Sequence, residues 1–297
     1  MDLRGAVEGF CLAVAAERLS ARTQRSYRDT LADFLAFTGN LPMGKLSPEH
    51  LHRYVEALHR RPGRTRETLC PSTVHKAYSV VRRFCRWAYQ QELTARCVSD
   101  FTRAPRLEQP MKDTLTPDEL ERLLEVVSRR PRERALVGFF LDTGCRLEEV
   151  ARLDLADVDL DQRMARVHGK GGREGAVPFG LRVRSDLHRY ITGHRKAAAG
   201  ETALFTGRSG ARLGREGLST LIRRLFLSCG ISGRAHKLRH TFATEFLRSG
   251  GNLETLRRIL RHRSILVTQG YLHLVNDDLM SEHTRHSPID KLRVRPR

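Results

Sequence analysis

The chain has 297 residues, of which 40% are hydrophobic and 29% charged, which excludes a disordered polymer and leaves room for two cored domains. Its formal net charge of +19, from 53 Lys and Arg against 34 Asp and Glu, selects a polyanion as partner, and nucleic acid is the commonest one in a cell. No lipidation motif or long apolar run supports a membrane partner, and six cysteines without a CxxC pair argue against a zinc or disulfide framework.

Both halves of the chain are basic. Residues 1–110 carry 18 Lys and Arg against 11 Asp and Glu, a net of +7, and the remainder carries a net of +12. Arg outnumbers Lys by 46 to 7, the mark of a GC-rich genome, so each Lys is the more noticeable. The N-terminus, with Asp2, Glu8 and Glu17, lacks a signal-peptide pattern, and the expected location is the bacterial cytoplasm, at the nucleoid.

Apolar residues recur at helical spacing over 4–18. Ser20 then caps a helix through Tyr27, Leu31, Phe34, Leu35 and Phe37, ending near Gly39. Ser47-Pro48 opens a third helix through Leu51, Tyr54, Val55 and Leu58. Pro71-Ser72-Thr73 opens a fourth, with Val74, Ala77, Tyr78, Val81, Phe84 and Trp87 as its apolar stripe. These four make a small all-helical bundle, with Trp87 and Tyr89 assigned to its core. Its outward faces hold Arg22, Arg25, Arg28, Arg82, Arg83 and Arg86, and the loop Arg60–Arg66 adds Arg64 and Arg66. Such residues are candidate contacts to DNA phosphates, although a basic loop alone reads equally as a solvated one.

Periodicity lapses between Asp100 and Thr114, where Pro105, Pro110 and mixed charges read as a linker. Two basic domains on such a connection suit a clamp around a duplex. Thr116-Pro117-Asp118-Glu119 is a capping box, and the helix after it buries Leu120, Leu123, Leu124 and Val127. A second helix spans about 132–141 and breaks at Thr143-Gly144; a third begins near Arg146. Met164–His168 and Glu174–Phe179 read as a hairpin with Lys170 near its tip, and Asp154, Asp157, Asp159 and Asp161 fall in a solvated turn before it. Further helices are expected at about 181–196, 215–228, 236–249 and 252–261, with a short one carrying Tyr271. The fold class is therefore mainly α: an N-terminal helical bundle, then a mostly helical domain with a small antiparallel sheet.

Several chemistries compete. His236 and His240 are four apart, as in a metal pair, but no Glu stands between them and no third ligand is evident. Gly169-Lys170-Gly171-Gly172 lacks the full nucleotide-binding spacing and sits in a hairpin, not before a helix. The four aspartates are irregularly spaced for a Mg²⁺ nuclease site, which stays the weaker alternative. His236 and Arg239, three apart, share one helix face, and an arginine forks onto two phosphate oxygens. Singly, Arg239 and Arg146 read as ordinary ion-pair residues. Beside Thr143–Val150 and the Lys170 hairpin they do not.

Thr143–Leu153, His168–Pro178, His236–Thr244 and Leu260–Tyr271 resemble the four signature regions of the tyrosine recombinases, the phage-integrase and Xer-like enzymes. The ordered set is an Arg after Thr-Gly, a hairpin Lys, His-x-x-Arg, a His, then a Tyr nine residues later. The resemblance covers essentially the whole chain and makes residues 1–99 a core-binding DNA-binding domain, 100–114 a linker, 115–275 the catalytic domain and 276–297 a tail for protomer contacts. It implies that Arg146 and Arg239 bind the scissile phosphate and that Glu149 supports Arg146. Lys170, His236 and His262 complete the set, with Tyr271 as nucleophile. Two departures stand out: the family commonly has Gly where this chain has Arg261, and often a basic residue at the place of Gly175.

Attack by Tyr271 on a phosphodiester builds negative charge that Arg146, Arg239 and His262 can neutralise without a metal. A phenol with a pKa near ~10 must lose its proton during attack, and His236 is placed to assist; Lys170 is the natural donor to the leaving 5′ oxygen. The 3′-phosphotyrosyl link conserves the bond energy, so no cofactor, neither ATP nor Mg²⁺, is expected. The expected partner is a double-stranded DNA recombination site, held by a homo-tetramer or a hetero-tetramer with a related recombinase. The resemblance implies that Leu279, Met280, Ile289 and Leu292 dock the tail on a neighbouring protomer. A type IB-like topoisomerase and a DNA-binding protein that does not cut are the alternatives.

Overall fold

The computed structural model describes residues 1–17, 19–63, 67–106, 113–169, 174–262, 264–271 and 287. Its contacts divide the chain into two compact units, residues 1–109 and 110–297. Among the described residues no helix is long and apolar enough to cross a membrane.

In the first unit, α1 (Leu3–Ala16), α2 (Ala21–Thr38), α3 (Pro48–Arg60) and α4 (Pro71–Gln90) form the bundle. Asp2 and Ser20 accept the backbone N–H groups of Gly5 and Thr23. Pro48 and Pro71 occupy first-turn positions, where a missing N–H leaves no bond unmade. Phe10 meets Phe84 and Trp87 edge-on at 5.7 and 5.6 Å, which locks α1 against α4. Trp87 packs on this core, but Tyr89 is 48% exposed and does not belong to it. Two residues along a helix turn the side chain by about 200°, so the two rings cannot share one face.

The stretch read as a linker is partly built into this unit. Val98–Phe101 is a 3₁₀ turn, Tyr78 Oη lies 2.8 Å from Thr102 Oγ1, and His75 Nδ1 lies 3.0 Å from Pro105 O. Apolar periodicity lapses there because hydrogen bonds from α4, not a repeating apolar face, hold the chain.

The second unit comprises α5 (Pro117–Val127), α6 (Pro131–Thr143), α7 (Leu147–Arg152), β1 (Val158–Asp159), β2 (Met164–His168), β3 (Glu174–Pro178), α8 (Leu181–Gly193), α9 (Arg215–Ser228), α10 (His236–Arg248), α11 (Leu253–Leu260) and α12 (Ile265–Gln269). The sheet is antiparallel in the order β1-β2-β3, with Val158 opposite Ala165 and Val167 opposite Gly175. Strand β1, absent from the sequence reading, is two residues long, too short for alternation to reveal. Of the aspartates before the hairpin, Asp159 and Asp161 are exposed, as a solvated turn requires, but Asp154 and Asp157 are tied into the fold. Asp157 is buried and accepts from Arg166 Nε at 3.2 Å, and Asp154 accepts from Arg212 Nη2 at 2.5 Å.

Helix α6 is central and packs on α5, α8 and α10. Most of the apolar residues of this unit join one core around Leu136, Phe139 and Phe140. A smaller cluster of Phe242, Ala243, Leu247, Leu256, Leu260 and Tyr271 joins α10 to α11. Gly144 stops α6 in a left-handed conformation, φ 58° and ψ 22°, and any Cβ on it would collide with Phe242 and Leu260. That close approach brings the residue after next, Arg146, to the cleft that α10 also lines.

Candidate active site

Three chain segments supply the described part of the site: the turn from α6 into α7, the first two turns of α10, and the stretch from the end of α11 to Tyr271. They line an open cleft of about 590 Å³ with Arg146, His236, Arg239, His240, His262, Ser264, Val267 and Tyr271.

Arg239 is the anchor. It is 2% exposed, and its forked head stitches two turns together. Nη1 donates to Gly144 O at 2.5 Å, and Nη2 donates to Leu260 O at 2.8 Å and to His262 Nε2 at 2.9 Å. Burial, with the charge of Arg146 added, pulls its pKa down to about 10, so it stays charged at neutral pH. Arginine only donates, so His262 Nε2 accepts and its Nδ1 carries the proton, facing Thr268 Oγ1 at 2.8 Å.

Arg146 is the N-cap of α7 and half open to the cleft. Glu149, one turn on and 2% exposed, grips it twice: Oε2 accepts the backbone N–H at 2.7 Å and Oε1 accepts from Nη1 at 2.9 Å. Three-residue spacing on a first helical turn produces such a box. Burial pushes the Glu149 carboxyl up, but Arg261, the Arg146 N–H and the Arg146 guanidinium together outweigh it and hold the pKa below the ordinary range.

Tyr271 lies two residues past α12, not on it, and is 2% exposed. Its ring belongs to the α10–α11 cluster, and its oxygen lies 2.8 Å from His240 Nδ1. Burial raises its pKa, against the pull of Arg239 and Arg146. The rings of His240 and His236 meet edge-on, centroids 4.4 Å apart. The sequence reading considers His240 only as half of a metal pair and gives His236 the tyrosine's proton, yet His240 is the histidine bonded to the phenol. The signal was present in the His-x-x-x-His spacing, but only the fold shows which ring faces residue 271. Thr268 was missed for the same reason. Among the described residues, no three His, Cys, Asp or Glu side chains converge with the spacing of metal ligands.

Lys170 lies outside the described residues, as do Arg64, Arg66 and, apart from Ser287, the tail read as 276–297. Arg22, Arg25, Arg28 and Arg86 are exposed. Arg82 is half-buried. Arg83 is taken up within its own unit: it pairs with Glu17, donates to Tyr27 Oη at 3.1 Å and lies over that ring. Its outward-facing assignment overlooks that Glu17 and Tyr27 come within its reach across the bundle. Arg261, unexplained by the sequence, has a left-handed backbone, φ 53° and ψ 45°, which closes α11 at a cost of roughly 1 kcal/mol for a non-glycine residue.

A helical domain that sets one phenol among arginines and histidines defines a class, the enzymes that break a phosphodiester through a tyrosine. Family comparison agrees. Residues 113–277 match the phage integrase family, and residues 7–95 match the phage integrase N-terminal SAM-like domain. The tyrosine recombinase XerC of Xanthomonas campestris pv. campestris is 31% identical over 278 residues, covering 91% of this chain and 84% of that one. The fold is similar to that of the Tn1549 transposon integrase in complex with transposon right end DNA (TM-score 0.79, 18% identity, 96% and 99% of the two chains). It is also similar to that of a lambda integrase tetramer bound to a Holliday junction (0.72, 15%, 89% and 78%). The chain belongs to the phage integrase family, the tyrosine recombinases, and its activity is that of a tyrosine-type site-specific DNA recombinase.

Proposed function

We propose that Tyr271 Oη attacks the scissile phosphorus of a duplex DNA site, forming a Tyr–O–P bond at the 3′ side while the P–O5′ bond breaks. The observation that carries this reading is the 2.8 Å contact of Tyr271 Oη with His240 Nδ1 in a cleft lined by Arg146, Arg239, His236 and His262. Burial keeps the phenol neutral at working pH, so its proton leaves during attack, to His240 and, through the adjoining ring, His236. Arg146 and Arg239 receive the phosphate and the charge that builds in the pentavalent state, and His262, between Thr268 and Arg239, holds the Arg239 guanidinium in place. Lys170 gives the 5′ oxygen its proton. The 5′-hydroxyl of a partner strand then attacks the phosphotyrosine and releases Tyr271, with no net loss of phosphodiester bonds.

The exposed arginines Arg22, Arg25, Arg28 and Arg86 provide charge for DNA phosphates in the first unit. We assign this domain, about residues 1–99, to DNA binding, about 115–275 to catalysis, and the tail to protomer contacts. The likeness to a lambda integrase tetramer on a Holliday junction supports a tetramer on two DNA sites, in the compartment that holds the DNA. Four protomers per junction is the expected native mass of the complex; a stable dimer at saturation contradicts it.

Lys170→Ala is expected to slow cleavage by roughly 10²–10⁴. A 5′-bridging sulfur at the scissile phosphate leaves without a proton and restores most of the rate. An equal defect on both substrates removes Lys170 from the acid role.

A further inference from the structure

Arg261 leaves the end of α11, 18% exposed, and runs across Gly175 in β3. A Cβ built on Gly175 would lie 2.6 Å from Arg261 Cδ, 3.6 Å from Cγ and 3.7 Å from Nε, so one hollow is shared by the two positions. At the far end Nη2 donates to Glu149 Oε2 at 2.5 Å, and Nη1 donates to Ile259 O at 3.0 Å. Glu149 is the carboxylate that holds Arg146 by its backbone and its guanidinium. Arg261 therefore touches three separate parts of the site: strand β3 at the turn end of the hairpin, the support of Arg146, and the last turn of α11 before His262.

We infer that Arg261 is a positioning residue, which fixes Arg146 through Glu149 and ties β3 to the turn that presents His262. The inference rests on the reading of Arg146 as a phosphate-binding group. A buried carboxylate opposite one half-open arginine, with only a neutral backbone N–H on its other oxygen, is poorly compensated. A second guanidinium on Oε2 supplies the missing charge and adds to the hold of the Arg146 N–H, which keeps Oε1 aimed at Arg146 Nη1. The side chain must cross a glycine to reach Glu149, because any larger residue at 175 would fill its path. Nη1 and Nη2 are both bonded to the protein, while the buried Nε has no partner among the described residues, and Arg146 and Arg239 are the guanidinia that line the cleft.

Arg261→Gly is the informative variant, since glycine adopts this backbone without strain and only the guanidinium is lost. The expected result is an unchanged Kd for site DNA and a single-turnover cleavage rate, at saturating protein, lower by about 10- to 100-fold. Gly175→Arg combined with Arg261→Gly places a guanidinium in the same hollow from the strand side and restores most of that rate. Gly175→Ala lowers the thermal midpoint of DNA-free protein when Arg261 is present and not when residue 261 is glycine. A weakened Kd with a normal saturated rate makes Arg261 a DNA contact and overturns the inference, as does a midpoint cost of equal size in both backgrounds. Wild-type cleavage with an unimpaired Arg261→Gly variant sinks this inference alone, whereas a wild-type protein that forms no covalent adduct sinks the reading of the site.

Discussion

Tyr271→Phe protein binds site DNA with wild-type affinity and leaves no SDS-resistant protein–DNA adduct on a nicked suicide substrate. This is the largest single effect expected, because the oxygen removed is the one that forms the bond to phosphorus. The substitution keeps the ring in the cluster of Phe242, Leu256 and Leu260, so packing is preserved. Among the described residues the bond lost is the one to His240 Nδ1, about 1 kcal/mol for a hydrogen bond of this kind. Denaturation curves of the two proteins should therefore nearly coincide while adduct formation differs absolutely. An adduct persisting in the variant would place the nucleophile elsewhere.

Arg239→Lys is expected to lower cleavage by roughly 10²–10³ and also to destabilise the second unit by about 2 kcal/mol. The two losses have different origins. Lysine is a point charge without a fork and cannot reach Gly144 O, Leu260 O and His262 Nε2 together. At least one buried acceptor is then left unpaired, which accounts for the stability loss. The catalytic loss follows because His262 loses the donor that fixes its ring, and the phosphate loses a guanidinium held in place beside it. Cleavage and urea unfolding measured on the same preparation test the pair of losses. A variant that unfolds normally and cleaves normally would reduce Arg239 to one interchangeable charge among many.

These two expectations differ in how far the sequence alone supports them. Tyr271 and Arg239 stand in a fixed order with Arg146, Lys170, His236 and His262, and that order was legible without coordinates. So were the main helices, because Ser20, Ser47-Pro48 and the Thr116 capping box mark their starts and apolar spacing marks their buried faces. Features carried by few residues escaped: β1 is two residues long, and the 98–106 stretch is held by single hydrogen bonds from α4.

The sequence by itself determined the helical bundle, the mostly helical second unit with its hairpin, and the family, because these depend on local spacing and on motif order. Only the tertiary structure decided that His240 touches Tyr271, 31 residues away, and that Arg261 reaches Glu149, 112 residues away, over Gly175. Periodicity specifies which face of a helix is buried, but not which distant side chain meets it there. That choice falls to the packing of α6, α10 and α11, which brings Gly144 close enough to Phe242 and Leu260 to exclude even a methyl group.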